Sequence, residues 1–295
     1  MSRIYDALKK AEDESLANQA PEAVVTTVTG SQFRPKLALG DPASGLAGFA
    51  VQTWAPDPKS LIFTGASEEV YSIEQFRSLR SRLYQLRAKQ PLQSILVCSA
   101  VAAEGKTFVS ANLAMALAKQ QGRKILLIDA DLRKPAQHTV FGAPLSPGLT
   151  DLLAGNASCS EVIQSGGIEN LWLMPCGTPA QNASELLGNN RMGEVLEVLA
   201  PIFDWIVLDS SPVLPVSDAV TISRSCDGVL LVARAEVTSY DAVQRAQHEF
   251  REARLLGVVL NGTTERPKHS NYYYQYGSGK SATYGSAATQ SSRRG

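Results

Sequence analysis

Cysteine is scarce and scattered. The four in 295 residues (Cys98, Cys159, Cys176 and Cys226) form no C-x-x-C pair and have no histidine at ligand spacing. This argues against a disulfide framework or a zinc site and fits a reducing cytosol. Long apolar runs are also missing. None approaches the roughly 18 to 20 residues that a membrane span needs, and the opening "MSRIYDALKKAEDES" is charged rather than signal-like, so a cytoplasmic chain is expected. No charge of one sign dominates either, with 28 Lys and Arg against 28 Asp and Glu, so no overall field recruits nucleic acid or lipid. What is present is 44% apolar residues over a length that suffices for one large core or two small ones.

Ile4, Tyr5, Leu8 and Ala11 recur at helical spacing, so residues 1–16 are expected as a short amphipathic helix that docks on protein or lies on a membrane surface. Residues 17–58 carry Pro, Gly, Ala and Thr without periodicity and read as a linker or loosely held arm. From residue 59 helical and apolar stretches alternate. The apolar runs are "SILVCSA" (94–100), "KILLIDA" (124–130), "NLWLMPCG" (170–177), "DWIVLDS" (204–210), "DGVLLVARA" (227–235) and "LGVVLNG" (256–262). Helical patterns cover 67–88, a stretch from 107, and 182–199, 216–225 and 239–254. Runs apolar at every position belong to strands covered on both faces, and the intervening helices supply the crossovers of a parallel sheet. The expected fold over 59–263 is α/β, doubly wound and mostly parallel, with helices on both faces. Its ligand should sit beyond the carboxyl ends of the strands.

Three strand ends carry polar chemistry. After the first run comes "SAVAAEGKTFVSANLA", where Gly105, Lys106 and Thr107 stand between a strand and an Ala-rich helix. A G-K-[ST] ending there places backbone N–H groups on phosphate, a lysine charge beside it and a hydroxyl for Mg²⁺. The general pattern wants glycine at position 100, where this chain has alanine. The strand "ILLIDADLRKP" ends on Asp129 and Asp131; two apart in an extended run, they point the same way and suit a metal or a proton acceptor. "FDWIVLDSSP" ends on Asp209, where an ATP-hydrolysing fold is expected to carry a second-sphere carboxylate for Mg²⁺.

These motifs resemble those of the bacterial tyrosine kinases of capsule and exopolysaccharide export, a branch of the P-loop ATPases. "LLIDADLR" matches that family's second motif and "IVLDSSP" its third, and "GLTDLLAG", "NASELLG", "PVSDA", "DGVLLVARA" and "LGVVLNG" are also similar. The resemblance implies an ATP-dependent tyrosine autokinase using Mg²⁺. In it the loop Ala102, Ala103, Glu104, Gly105, Lys106, Thr107 and Phe108 cradles phosphates, with Lys106 on the β- and γ-phosphates. Thr107, Asp131 and Asp209 hold the metal, Asp129 accepts the tyrosine proton, and Asn261 contacts adenine. Ala102 and Ala103 replace the family's usual Pro-Gly, and if position 103 demands φ > 0 the strain is on the order of 1 to 2 kcal/mol.

The family also explains the tail. "SNYYYQYGSGKSATYG" (270–285) holds five of the nine tyrosines among turn formers, so nothing there buries a core face. By resemblance Tyr272, Tyr273, Tyr274, Tyr276 and Tyr284 are phosphoacceptors within a disordered segment 264–295. Glu74, Arg77 and Arg80 in "EQFRSLRSRLY" line one helical face, which is either solvated or, by resemblance, a contact in a ring of subunits. The implied partners are further copies of the chain, a separate transmembrane activator of the polysaccharide co-polymerase type and a tyrosine phosphatase, at the inner face of the plasma membrane. Two other readings share the fold: a division-site or partitioning ATPase, whose loop carries an extra lysine absent from "SAVAAEG", and a non-catalytic adaptor with a degenerate nucleotide site.

Overall fold

The six apolar runs all become strands, and the three that carry the polar ends become the centre of the sheet. A computed structural model describes residues 48–64, 70–179, 183–188 and 190–263. The strands are β1 (Ala50–Val51), β2 (Ser94–Ser99), β3 (Ile125–Ala130), β4 (Gln164–Ser165), β5 (Leu171–Met174), β6 (Trp205–Ser210), β7 (Gly228–Arg234) and β8 (Leu255–Asn261). They form one sheet in the order β1-β4-β5-β3-β6-β2-β7-β8, parallel throughout except for the β4–β5 pair. Every residue of β2, β3 and β6 is buried, as runs apolar at every position require. At the edge, β8 alternates instead, leaving Val258 and Leu260 exposed.

The main helices are α1 (Val70–Arg87), α2 (Lys106–Ala118), α3 (Gln137–Phe141), α4 (Leu149–Leu153), α5 (Cys159–Val162), α6 (Ala183–Leu187), α7 (Arg191–Leu199), α8 (Asp218–Ser223) and α9 (Tyr240–Glu249). The Ala-rich α2 lies against the sheet and buries ten of its thirteen residues. Helix α1 covers it through Phe76 and Leu83. Asn112 ties α2 to the preceding chain: its Oδ1 accepts from Ile62 N–H at 3.0 Å and its Nδ2 donates to Ser60 O at 2.8 Å. At the far end of α1, Trp205 Nε1–H donates to the Tyr84 hydroxyl at 3.1 Å and the Arg87 guanidinium lies 4.7 Å over the indole.

Several expectations are corrected. The single helix expected over 182–199 is two, α6 and α7, because Gly188 and the left-handed Asn190 (φ 57°) interrupt it. Residues 48–58, expected in the linker, lie on the domain. There β1 pairs with β4, Phe49 stacks on Phe203 at 5.9 Å, and the buried Trp54 donates to Gln164 Oε1 at 3.2 Å. A two-residue strand and two isolated aromatics carry no period, so the sequence pattern was silent there. The expected N-terminal helix, most of the linker and the tyrosine-rich tail lie outside the described residues.

Candidate active site

Sheet order brings the polar strand ends together. β6 lies between β2 and β3, so the phosphate loop leaving β2 flanks Asp209, and Asp129 sits in register beside Asp209 on the next strand. The carboxyl ends of three central strands thus form one wall, with the N-terminus of α2 facing it.

The loop has an unusual backbone. Ala103 takes φ 65° and Gly105 φ 93°, both left-handed. Gly105 is needed for a second reason: a Cβ there would lie 2.0 Å from Asn261 Nδ2. Four side chains hold the loop. The buried Glu104 accepts Val101 N–H at 2.8 Å and the Thr238 hydroxyl; Asn261 Nδ2 donates to Glu104 O at 2.9 Å, and Arg234 Nη1 donates to Ala103 O at 3.2 Å. Glu104 and Asn261, the residues expected to touch nucleotide, both brace the loop. Thr238 and Arg234, from the end of β7 and the loop after it, were not anticipated, since no motif spans the 130 residues or so between partners. Phe108, in the first turn of α2, packs edge-on against Phe76 with ring centroids 6.0 Å apart.

Lys106 extends to Asp131, with Nζ 2.8 Å from Oδ2. Burial works to lower the lysine's pKa, but the charges of Asp209, Asp131 and Asp129 outweigh it and raise it. Asp129 and Asp131 both act on the Lys106 charge, and backbone N–H groups hold each of them. β3 ends at Ala130, and Asp131 turns to accept Arg133 and Lys134 N–H on Oδ1, at 3.3 and 3.0 Å. Asp129 stays in the sheet, where its Oδ2 accepts Ala136 and Gln137 N–H, each at 2.9 Å. Burial pushes the Asp129 carboxyl well above the usual carboxylate range; the neighbouring Asp209 adds to this and backbone N–H groups oppose it. Burial raises Asp209 too, against Lys106, Thr107 and Gln137.

Asp209 is fully buried; its Oδ2 accepts Gln137 Nε2–H at 2.9 Å, while Oδ1 has no partner. A buried acceptor left open beside a lysine and a loop threonine is where a cation fits. Among the described residues no three acidic, cysteine or histidine side chains form a cage. Mg²⁺ in phosphate-loop sites needs none, because phosphates and waters supply most of its oxygens. Thr107, Asp131 and Asp209 therefore fit the ion.

Two flanking features complete the region. Arg133 Nε donates to Asp218 Oδ2 at 2.6 Å and Nη2 to Ser184 Oγ at 3.0 Å, so "DADLR", "NASELL" and "PVSDA" meet in space. A cavity of about 710 Å³ opens beside Asn261, between α1 and the end of β8, lined by Tyr71, Gln75, Phe108, Leu260 and Thr263. On α1, Glu74 and Arg77 pair with each other, while Arg80 is drawn inward, donating from Nη1 to Ala116 O at 2.7 Å.

A family model described as an AAA domain matches residues 94–255. The tyrosine-protein kinase YwqD of Bacillus subtilis is 34% identical over 68% of this chain and 85% of its own length. The chain belongs to the bacterial tyrosine-kinase family. The kinase domain of the Escherichia coli tyrosine kinase ETK superposes with a TM-score of 0.63, at 31% identity over 72% of this chain and 80% of that domain. Some relatives are much longer, and the chain spans 29% of them. The septum site-determining protein MinD of Pyrococcus horikoshii, solved with Mg-ADP, is more distant, with a TM-score of 0.51, 27% identity and coverage of 57% of this chain and 70% of its own. The chain is thus nearer to the bacterial tyrosine kinases than to the division-site ATPases, which share the doubly wound fold, and its family implies nucleotide binding. No helix among the described residues is long and apolar enough to cross a membrane.

Proposed function

We propose that the chain is a Mg-ATP-dependent autokinase that phosphorylates the C-terminal tyrosines Tyr272, Tyr273, Tyr274, Tyr276 and Tyr284 of a neighbouring copy. The observation that carries this reading is the grouping of Lys106, Asp131, Asp129 and the open Oδ1 of Asp209 at the mouth of the phosphate loop. ATP places its β- and γ-phosphates on the N–H groups of residues 102–108. Lys106 leaves Asp131 to follow the negative charge, and adenine enters the cavity beside Asn261. When bound, Mg²⁺ supplies charge neutralisation on the phosphate oxygens. The phenolic oxygen bonds to the γ-phosphorus as the bond to ADP breaks, and the phenolic proton goes to Asp129. The raised pKa of Asp129 suits it to that proton better than an ordinary carboxylate. The loose transition state asks mainly for positioning and charge.

The tail suits a role in trans. Residues 264–295 carry Arg266, Lys268, Lys280, Arg293 and Arg294 against Glu265, so the unmodified tail is attracted to the acidic wall. Five phosphotyrosines add roughly −8 to −10 charges and reverse the attraction. The Glu74 and Arg77 face is the contact between copies, with Arg80 shaping it from within. A transmembrane activator holds the ring at the inner membrane face, a phosphatase resets it, and polysaccharide export is what it regulates. The decisive experiment incubates pure protein with Mg²⁺ and ATP, with and without a candidate activator tail, and maps phosphotyrosine by mass spectrometry. Phosphate on Tyr272–Tyr284 in the wild type and none in Lys106→Met is expected; ADP release without phosphotyrosine would refute the reading.

A further inference from the structure

Two buried carboxylates standing in register on adjacent strands would, left alone, repel each other and rotate freely toward any cation. Among the described residues Gln137 bonds to both carboxylates, through its backbone N–H to Asp129 and through its side chain to Asp209. Gln137 is fully buried at the start of α3. Its backbone N–H donates to Asp129 Oδ2 at 2.9 Å, and its Nε2 donates to Asp209 Oδ2 at 2.9 Å, Ser110 Oγ at 2.8 Å and Thr107 O at 3.2 Å. One residue thus joins β3, β6 and the first turn of α2. The bond it makes to Asp209 occupies Oδ2 and leaves Oδ1 as the open atom. Its own Oε1 is likewise buried without a partner. The amide delivers N–H to a carboxylate without adding charge, so it orients Asp209 without competing with a cation for it, as a lysine or arginine would.

We propose that Gln137 is a positioning residue that orients Asp209 Oδ1 toward the metal of the nucleotide complex and fixes it relative to Thr107. This rests on the Mg-nucleotide reading above. Partners that orient metal-binding side chains are worth roughly 10- to 100-fold in metal affinity when removed. The predicted defect is therefore specific to the metal-dependent part of nucleotide binding.

The test is calorimetric titration of ADP into the full chain with and without Mg²⁺, taking the ratio of the two affinities, for wild type, Gln137→Met and Gln137→Glu. Methionine keeps the volume but lacks the donor. Glutamate is isosteric and sets an acceptor against Asp209 Oδ2, so it stands as a second readable variant if the methionine protein fails to fold. The expected result is an affinity for metal-free ADP within about twofold of wild type, with the Mg²⁺-dependent tightening reduced at least tenfold in both variants. Tightening equal to wild type, or metal-free and Mg²⁺ affinities that fall in parallel, would leave Gln137 a structural residue and overturn the proposal alone. No tightening by Mg²⁺ in the wild type would instead overturn the metal reading, and the proposal with it.

Discussion

Replacing Ala103 by glycine should make the protein more stable, which is uncommon for a change to glycine. Ala103 holds φ 65° in the phosphate loop, and an L-residue with a Cβ there is strained by about 1 to 2 kcal/mol relative to glycine. Against that relief stands the greater freedom of glycine in the unfolded chain, worth about 0.4 to 1 kcal/mol. Ala103 is exposed, so its methyl group buries almost nothing that the substitution would lose. The hydrogen bond that Arg234 Nη1 donates to this residue goes to its carbonyl and survives. The net expectation is a gain of about 0.5 to 1 kcal/mol, or roughly 1 to 4 °C in Tm for a domain of this size. Thermal unfolding followed by circular dichroism, with and without ADP and Mg²⁺, measures it. Nucleotide affinity should hold or tighten, because the loop no longer resists the conformation that turns its N–H groups to phosphate. A Tm lowered by several degrees, or a clear loss of affinity, would show that alanine is the fitted residue and that the left-handed backbone carries no strain.

The opposite substitution two residues on should fail: Gly105→Ala drives a Cβ to 2.0 Å from Asn261 Nδ2 and puts a side chain at φ 93°, so a fall in stability of about 2 kcal/mol or more and loss of nucleotide binding in calorimetry are expected. Asp209→Asn should raise the stability of the nucleotide-free protein while removing activity. Burial holds that carboxyl above its unfolded value, so the ionised form costs nothing below pH about 4 and increasingly more as pH rises through the folded value. The Tm advantage of the variant should therefore grow as pH rises above about 4, and an advantage that shrinks with rising pH would contradict the assignment. Arg133→Met leaves the buried Asp218 without its guanidinium and should destabilise by on the order of 3 kcal/mol in denaturant unfolding, discounted somewhat because the arginine is partly exposed. No change would mean that the pair is energetically idle.

The fold and the cast of the site were legible in the sequence because both rest on local patterns. Runs apolar at every position mark strands covered on both faces, and "GKT" after such a run marks a phosphate loop whatever surrounds it. What the sequence left open was decided by which strands become neighbours. Only the order β3-β6-β2 sets Asp129 beside Asp209, so that burial and mutual charge act on them jointly. The different partners of Asp129 and Asp131 follow from β3 ending at Ala130: Asp129 stays in the sheet and accepts Ala136 and Gln137 N–H, while Asp131, past the strand, accepts Arg133 and Lys134 N–H and pairs with Lys106. Gln137, Thr238 and Arg234 carry no motif, since an amide, a hydroxyl and an edge arginine mean nothing until the chain brings them to a carboxylate or a loop carbonyl. Position 103 stands out in the sequence by residue type alone, and its left-handed φ is visible only in the folded loop, because backbone conformation there is imposed by the elements at its two ends.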